Sequence, residues 1–188
     1  MDLGLILLLG VAAILVILVM LYNRFVALRQ KRNNAFSDIE VQLKQRLDLV
    51  PQLVETVKGY ARHEKETFEN VTEARAGVSQ AGDGADGGRV KAENVLSGAL
   101  MGLFAVAENY PDLKADQNFQ KLMSELSDIE NKIASARRFF NNITSEYNTA
   151  IQQFPGVLIA GPFGFTSEEF FDAPEDQETL EKAPEVKF

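Results

Sequence analysis

Residues Leu3 to Leu21 (LGLILLLGVAAILVILVML) are nineteen consecutive apolar residues without a charge, the length a helix needs to cross the hydrocarbon core of a bilayer. A secretory leader instead has Lys or Arg ahead of a shorter apolar core and a small-x-small cleavage site after it. Here Met1 and Asp2 precede the run, and Tyr22, Asn23, Arg24, Arg29, Lys31 and Arg32 follow it. The pattern predicts an uncleaved, single-pass transmembrane anchor over residues 1–21. Positive charge stays on the cytoplasmic side of a membrane. The N-terminus is therefore expected outside, with everything from Tyr22 onward in the cytoplasm and Arg24, Arg29, Lys31 and Arg32 as a basic collar at the membrane surface.

About 167 residues follow the anchor, enough for one domain with a real core. The chain has no Cys, which removes disulfides, thiol catalysis and Cys-based zinc sites together. A net charge of -8 argues against a nucleic-acid binder, which needs a basic face. That charge is unevenly placed. Tyr22 to Arg46 carries a local +4, whereas Thr166 to Phe188 carries eight acids against Lys182 and Lys187, a local -6.

The longest periodic signal is in the C-terminal half. Phe119, Leu122, Leu126, Ile129, Ile133, Ala136, Phe140, Ile143, Tyr147, Ala150 and Phe154 alternate steps of three and four, as one face of a helix does. Asp116 is the expected N-cap and Pro155-Gly156 the stop. The first cytoplasmic helix continues the anchor, with Phe25, Leu28, Phe36, Ile39, Leu43 and Leu47 on one face. Proline suits the first turn of a new helix and disfavours a helical residue before it, so Asp48-Leu49-Val50 before Pro51 is expected to be a tight turn or kink. A second helix then carries Leu53, Val54, Val57, Ala61, Phe68, Val71 and Val78. Gln80 to Arg89 (QAGDGADGGR) reads as a flexible loop; it lacks the preceding strand and following Lys-Ser/Thr of a phosphate-binding loop. A third helix, Val90 to Asn109, presents Ala92, Val95, Ala99, Leu103 and Val106. The fold class is all-α: one transmembrane helix leading into an antiparallel, up-and-down four-helix bundle of long helices. Residues 22–154 form the cytoplasmic bundle, and 155–188 an irregular apolar segment with an acidic tail.

The chemistry-bearing residues are sparse. His63 is the one histidine, beside Glu64 and Glu66, whereas zinc wants three or four ligands and bundle di-metal sites repeat Glu-x-x-His on several helices. It reads as a polar break in the stripe. Glu125, Asp128, Glu130 and Glu146 alternate with Lys121, Lys132, Arg137 and Arg138 as a solvated, ion-paired face. Arg137, Arg138, Asn141 and Asn142 adjoin the apolar seam, either flanking it and reaching water or fixing helix register. No Ser or Thr has a Lys or His motif that would activate it. No catalytic, metal or cofactor site is expected.

Asp48-Leu49-Val50-Pro51 with Leu53-Val54, followed by Val57-Lys58-Gly59-Tyr60-Ala61 and His63-Glu64, resembles the second-helix signature of the bacterial LemA family. The resemblance extends through Tyr110-Pro111-Asp112-Leu113-Lys114-Ala115, Asn118-Phe119, Ile133-Ala134, Ala136-Arg137-Arg138, Glu146-Tyr147-Asn148-Thr149-Ala150-Ile151, Phe154-Pro155 and Phe163-Gly164-Phe165. It implies a helical bundle on a membrane anchor, in a bacterial inner membrane, and brings no catalytic residues with it.

Phe154 to Phe165 (FPGVLIAGPFGF) is too short and too broken by Gly and Pro to span a bilayer. It is expected to cap the bundle core or to contact the membrane interface or a neighbouring subunit, with Phe154, Pro155, Phe163 and Phe165 as contacts. An antiparallel helix order returns this segment to the membrane and brings the acidic tail to the basic collar. The function expected is a non-enzymatic, membrane-anchored scaffold that self-associates and organises or remodels membrane. The alternative is an adaptor or regulatory partner of a membrane enzyme such as a protease. Its partners are the lipid bilayer, further copies of the chain and other membrane proteins.

Overall fold

The computed structural model describes residues 3–81 and 87–171. Among them every regular element is helical: α1 Leu3–Tyr60, α2 Lys65–Gln80, α3 Gly87–Glu108, α4 Pro111–Ala115, α5 Gln117–Gln152 and α6 Val157–Ala160. The centre of the expected Gln80–Arg89 loop and the acidic tail from Asp172 onward lie outside the described residues. The chain divides into two compact units, one drawn from Met1–Phe36 and Arg138–Phe170 and the other from Ser37–Arg137 and Phe171–Phe188.

In the second unit, α1 buries Ile39, Leu43, Val50, Leu53 and Val57, and α2 buries Phe68, Val71, Ala74 and Val78. Full burial of each larger side chain contributes about 1.5–3 kcal/mol. The expected turn at Asp48–Pro51 is not there; α1 runs through Pro51 as far as Tyr60. Proline has no N–H to donate to the carbonyl four residues back, which leaves the Leu47 oxygen without its helical partner. Arg75 of α2 supplies the missing donor, its Nε reaching Leu47 O at 3.3 Å. The reversal comes instead at 61–64, where the buried Ala61 donates its N–H to Val57 O at 2.9 Å and Glu64 donates to Ala61 O at 3.2 Å. His63 is exposed in this turn and interrupts no stripe.

The stripe of α3 also differs from expectation. Val90, Glu93, Leu96, Leu100, Leu103 and Ala107 are buried, while Val95 is exposed. The buried face is offset by one residue because a carboxylate, Glu93, occupies a seam position that a count of apolar residues passes over.

Helix α5 follows its stripe. Phe119, Leu122, Leu126, Ile129 and Ile133 are buried in the second unit, and Phe140, Ile143, Tyr147 and Ala150 in the first. Phe154 lies beyond the helix end and is exposed. Asp116 caps the helix as expected, its Oδ1 accepting the Phe119 N–H at 2.8 Å, which satisfies one of the amides a helix start leaves unpaired. Its Oδ2 accepts from the Tyr60 hydroxyl at 3.0 Å, fastening the end of α1 to the start of α5.

The core of the first unit gathers Phe25 and Leu28 of α1, Tyr147, Ala150 and Ile151 of α5, and Ala160 and Phe165 beyond it, with Leu21 packed on its edge. A Cβ on Gly156 would stand 2.3 Å from Ala150 O and 2.9 Å from Phe25 Cζ, so only glycine lets the chain turn back so closely onto both helices.

The Phe119 amide first, and then the Tyr60 hydroxyl, hold the Asp116 carboxyl below its ordinary value. A carboxylate depressed in the folded state stabilises above its unfolded pKa, and the contribution disappears as pH falls through the folded value. Asp116→Ala should therefore lower the thermal midpoint of the detergent-purified chain at neutral pH, and the gap to the parent should close in acid. A gap independent of pH would show that the charge of this cap is irrelevant.

Candidate functional site

The first unit places the segment after α5 against α1 through polar contacts as well as apolar ones. Arg29 donates to Gly164 O at 3.2 Å and to the Tyr147 hydroxyl at 3.5 Å, and its guanidinium lies 4.5 Å from the centre of the Phe165 ring. Gly164 has φ +73, a left-handed conformation that glycine adopts without strain, and it turns its carbonyl to Arg29. Arg32 donates through Nε to Thr144 Oγ1 at 3.1 Å and through a terminal nitrogen to Glu169 O at 2.9 Å, and it pairs with the Glu168 carboxylate at 3.1 Å. Asn148 holds Glu168 at both main-chain groups, each at 2.8 Å, and Gln152 donates to Ser167 Oγ at 3.0 Å. Residues 164–169 thus form a strap laced to α1 and α5.

The sequence-expected residues divide accordingly. Arg29 and Arg32 point into the unit and hold the strap, while Arg24 and Lys31 are exposed, Lys31 6.0 Å from the centre of the Phe139 ring. Phe165, expected as an outward contact, is a core residue packed edge-on against Phe25 at 5.2 Å; an apolar ring this close to the helix pair is removed from water by its own unit. Phe154, Pro155 and Phe163 are exposed, and Phe163 meets Tyr22 edge-on at 5.4 Å. Of the acidic tail, Glu168 reaches the collar through Arg32; the acids from Asp172 onward lie outside the described residues.

The second unit holds a charge cluster that the apolar periodicity passes over. Arg46 of α1 and Glu93 of α3, each 1% exposed, form a buried ion pair. Arg46 also bonds Glu130 of α5 at 2.8 Å and Ser97 at 3.0 Å, while Arg89 reaches Glu93 at 2.9 Å. The signal was available: Arg46 falls in the stripe Ile39, Leu43, Arg46, Val50, Leu53, Val57, where every other member is apolar. The buried Arg46–Glu93 pair has further hydrogen bonds to both partners, the arrangement that lets charge persist in a core, whereas Glu130 keeps 42% of its side-chain exposure. It matches no proton-transfer or nucleophilic machinery. Among the described residues no group of three or more His, Asp or Glu is placed to hold a metal. Arg137 lies 4.7 Å from the ring centre of the buried Phe171.

Among the described residues two helices are long and apolar enough to cross a membrane, α1 at its N-terminal end and α3 over Gly88–Glu108. Helix α3 carries the Arg89–Glu93 pair and buries one face in its unit, whereas every residue from Leu3 to Met20 is exposed. The described residues therefore define an all-helical protein with an uncovered apolar helix at its start. A family model for the LemA family matches residues 35–188, and the chain belongs to that family. It is 29% identical to the magnetosome protein MamQ of Magnetospirillum gryphiswaldense, in an alignment covering 87% of this chain and 69% of that protein. Magnetosome protein MamQ 2 of Paramagnetospirillum magneticum is 27% identical over the same shares. Protein LemA of Metamycoplasma hominis is 28% identical over 76% of this chain and 64% of its own length.

Removing one member of a buried pair leaves an uncompensated charge, at a cost of about 3–5 kcal/mol. Arg46→Met should destabilise the second unit by about the lower figure, because Arg89 still faces Glu93. Adding Glu93→Leu should recover most of the loss. Denaturant unfolding of the three proteins in detergent measures this, and a single variant as stable as the parent would refute a structural role for the cluster.

Proposed function

We propose that this chain is a non-enzymatic, membrane-anchored helical scaffold that self-associates in the cytoplasmic membrane and organises or remodels it. The observation that carries the reading is the exposure of α1 around its whole circumference from Leu3 to Met20. A helix apolar on every side belongs in a protein core or in lipid. Among the described residues no protein covers it. The basic residues after the run, with Arg24 and Lys31 open to solvent, support an outside N-terminus and a cytoplasmic remainder.

For the second unit the reading is an antiparallel, up-and-down four-helix bundle. It is supported by the tight reversal at 61–64 and by the tie of Arg46 to both α3 and α5. Self-association is supported by the outward face of α3, where Val95, Gly98, Met101, Gly102 and Ala105 are open and carry no charge. A contiguous exposed apolar face of this kind marks interaction surfaces. A scaffold is also favoured over an enzyme because the sequence names no activated nucleophile or acid-base pair.

Reconstituted alone into liposomes, the full chain should crosslink into species larger than a monomer, and Val95→Glu with Met101→Glu should reduce them while leaving helical content unchanged. A chain that stays monomeric until another membrane protein is added is an adaptor, and the scaffold reading fails. In intact cells, a cysteine at Lys121 should be shielded from a membrane-impermeant thiol reagent; labelling without permeabilisation would overturn the cytoplasmic assignment.

A further inference from the structure

The first unit leaves an apolar surface open at one particular height along α1. From Gln153 to Thr166 the chain has no charged residue. Gly156, Ile159, Ala160 and Phe165 face the core, yet the opposite side is also apolar, with Phe154 80%, Leu158 67%, Phe163 57% and Val157 50% exposed. Four large apolar side chains facing water beside a fully packed core is an arrangement that ordinary surfaces avoid.

Their height is fixed by contacts to α1. Leu21, the last residue of the apolar run, packs on the cluster that contains Ala160 and Phe165. Tyr22, the next residue, meets the rings of Phe163 at 5.4 Å and Phe165 at 5.6 Å. Tyr is enriched where a helix leaves the hydrocarbon for the headgroups, and the exposed Arg24 follows within a turn. Phe163 therefore meets α1 at the point where its uncovered run ends, and Phe154, Val157 and Leu158 are open on the same short segment, whose Gly156 approaches Phe25.

We infer that residues 154–163 are a second lipid contact, an interfacial wedge that seats Phe154, Val157, Leu158 and Phe163 at the headgroup and upper acyl boundary of the leaflet α1 exits through. The inference rests on the reading of Leu3–Leu21 as a span. The occupant is lipid because Phe163 seats on Tyr22 at the end of that span and the segment carrying the four open side chains has no charge. Interfacial segments of this type bury their apolar face about 5–10 Å below the headgroups. Side chains inserted at that depth add area to one leaflet alone, which gives a scaffold a physical means of bending a membrane.

The chain contains no Trp, so single replacements report cleanly. Phe154→Trp, Leu158→Trp, Ile14→Trp and Phe139→Trp are each placed in the full chain and reconstituted into phosphatidylcholine and phosphatidylglycerol vesicles containing lipids brominated either near the top of the acyl chain or near its centre. Phe154→Trp and Leu158→Trp should emit at shorter wavelength than Trp in water and lose intensity mainly to the shallow bromines. Ile14→Trp should lose intensity to the deep ones. Phe139→Trp, exposed further along α5 beside Lys31, should lose none. Water-like, unquenched emission at both 154 and 158, with Ile14→Trp quenched, would overturn the wedge and leave the span standing. Blue-shifted but unquenched emission at both would assign the face to a second protein copy and equally overturn it. An unquenched Ile14→Trp would remove the span, and the wedge with it.

Discussion

Helix α1 carries two kinds of apolar surface in succession, and the described core of both units is organised by the change between them. From Leu3 to Met20 it is apolar and uncovered on all sides. From Phe25 onward the apolar positions narrow to one face: Phe25, Leu28, Ala35, Ile39, Leu43, Val50, Leu53 and Val57 are buried. A helix of the first kind wants a hydrocarbon solvent, and one of the second wants partner helices. At the boundary the first unit joins Tyr22 to Phe163 and Phe165, and Phe165 to Phe25, in edge contacts.

The buried cluster around Arg46 answers a different need. An all-apolar seam with steps of three and four offers similar burial after a slip of one heptad, because one Leu or Ile replaces another. With Arg46 in that seam a slip would set the guanidinium against hydrocarbon and strand Glu93. Such groups contribute little net stability, since desolvation offsets most of the attraction, but they penalise every arrangement that separates them. Glu130 and Ser97 fill further donor positions of the same guanidinium, so the fit of α1 to α3 and α5 within the second unit is specified by hydrogen-bond geometry.

Much of this was legible in the sequence, and the remainder failed for identifiable reasons. The stripe of α5 and its Asp116 cap could be read because their signals are local: periodicity, and a side chain that bonds an amide three residues on. Pro51 misled because its cost is local whereas its remedy, Arg75 Nε on the Leu47 carbonyl, comes from another helix. The phase of α3 was lost to Glu93, a residue that counts as surface until its partner Arg46 is known to be buried. In the terminal segment, Phe154 and Phe165 are alike in sequence and opposite in place. Only the three-dimensional approach of the chain at Gly156 and Gly164 decides which ring faces the core.

The two sets of ion pairs differ in what reaches them. Arg46 and Glu93 are closed to solvent, so dissolved ions cannot intervene between them. Arg32 and Glu168, which help fasten the strap, retain 13% and 33% of their side-chain exposure. Counterions enter such half-open pairs and weaken them as their concentration rises, whereas a closed pair is largely spared. Ionic strength thus acts selectively on this molecule, slackening the lacing beside Gly164 while the closed Arg46–Glu93 pair of the second unit stays in place.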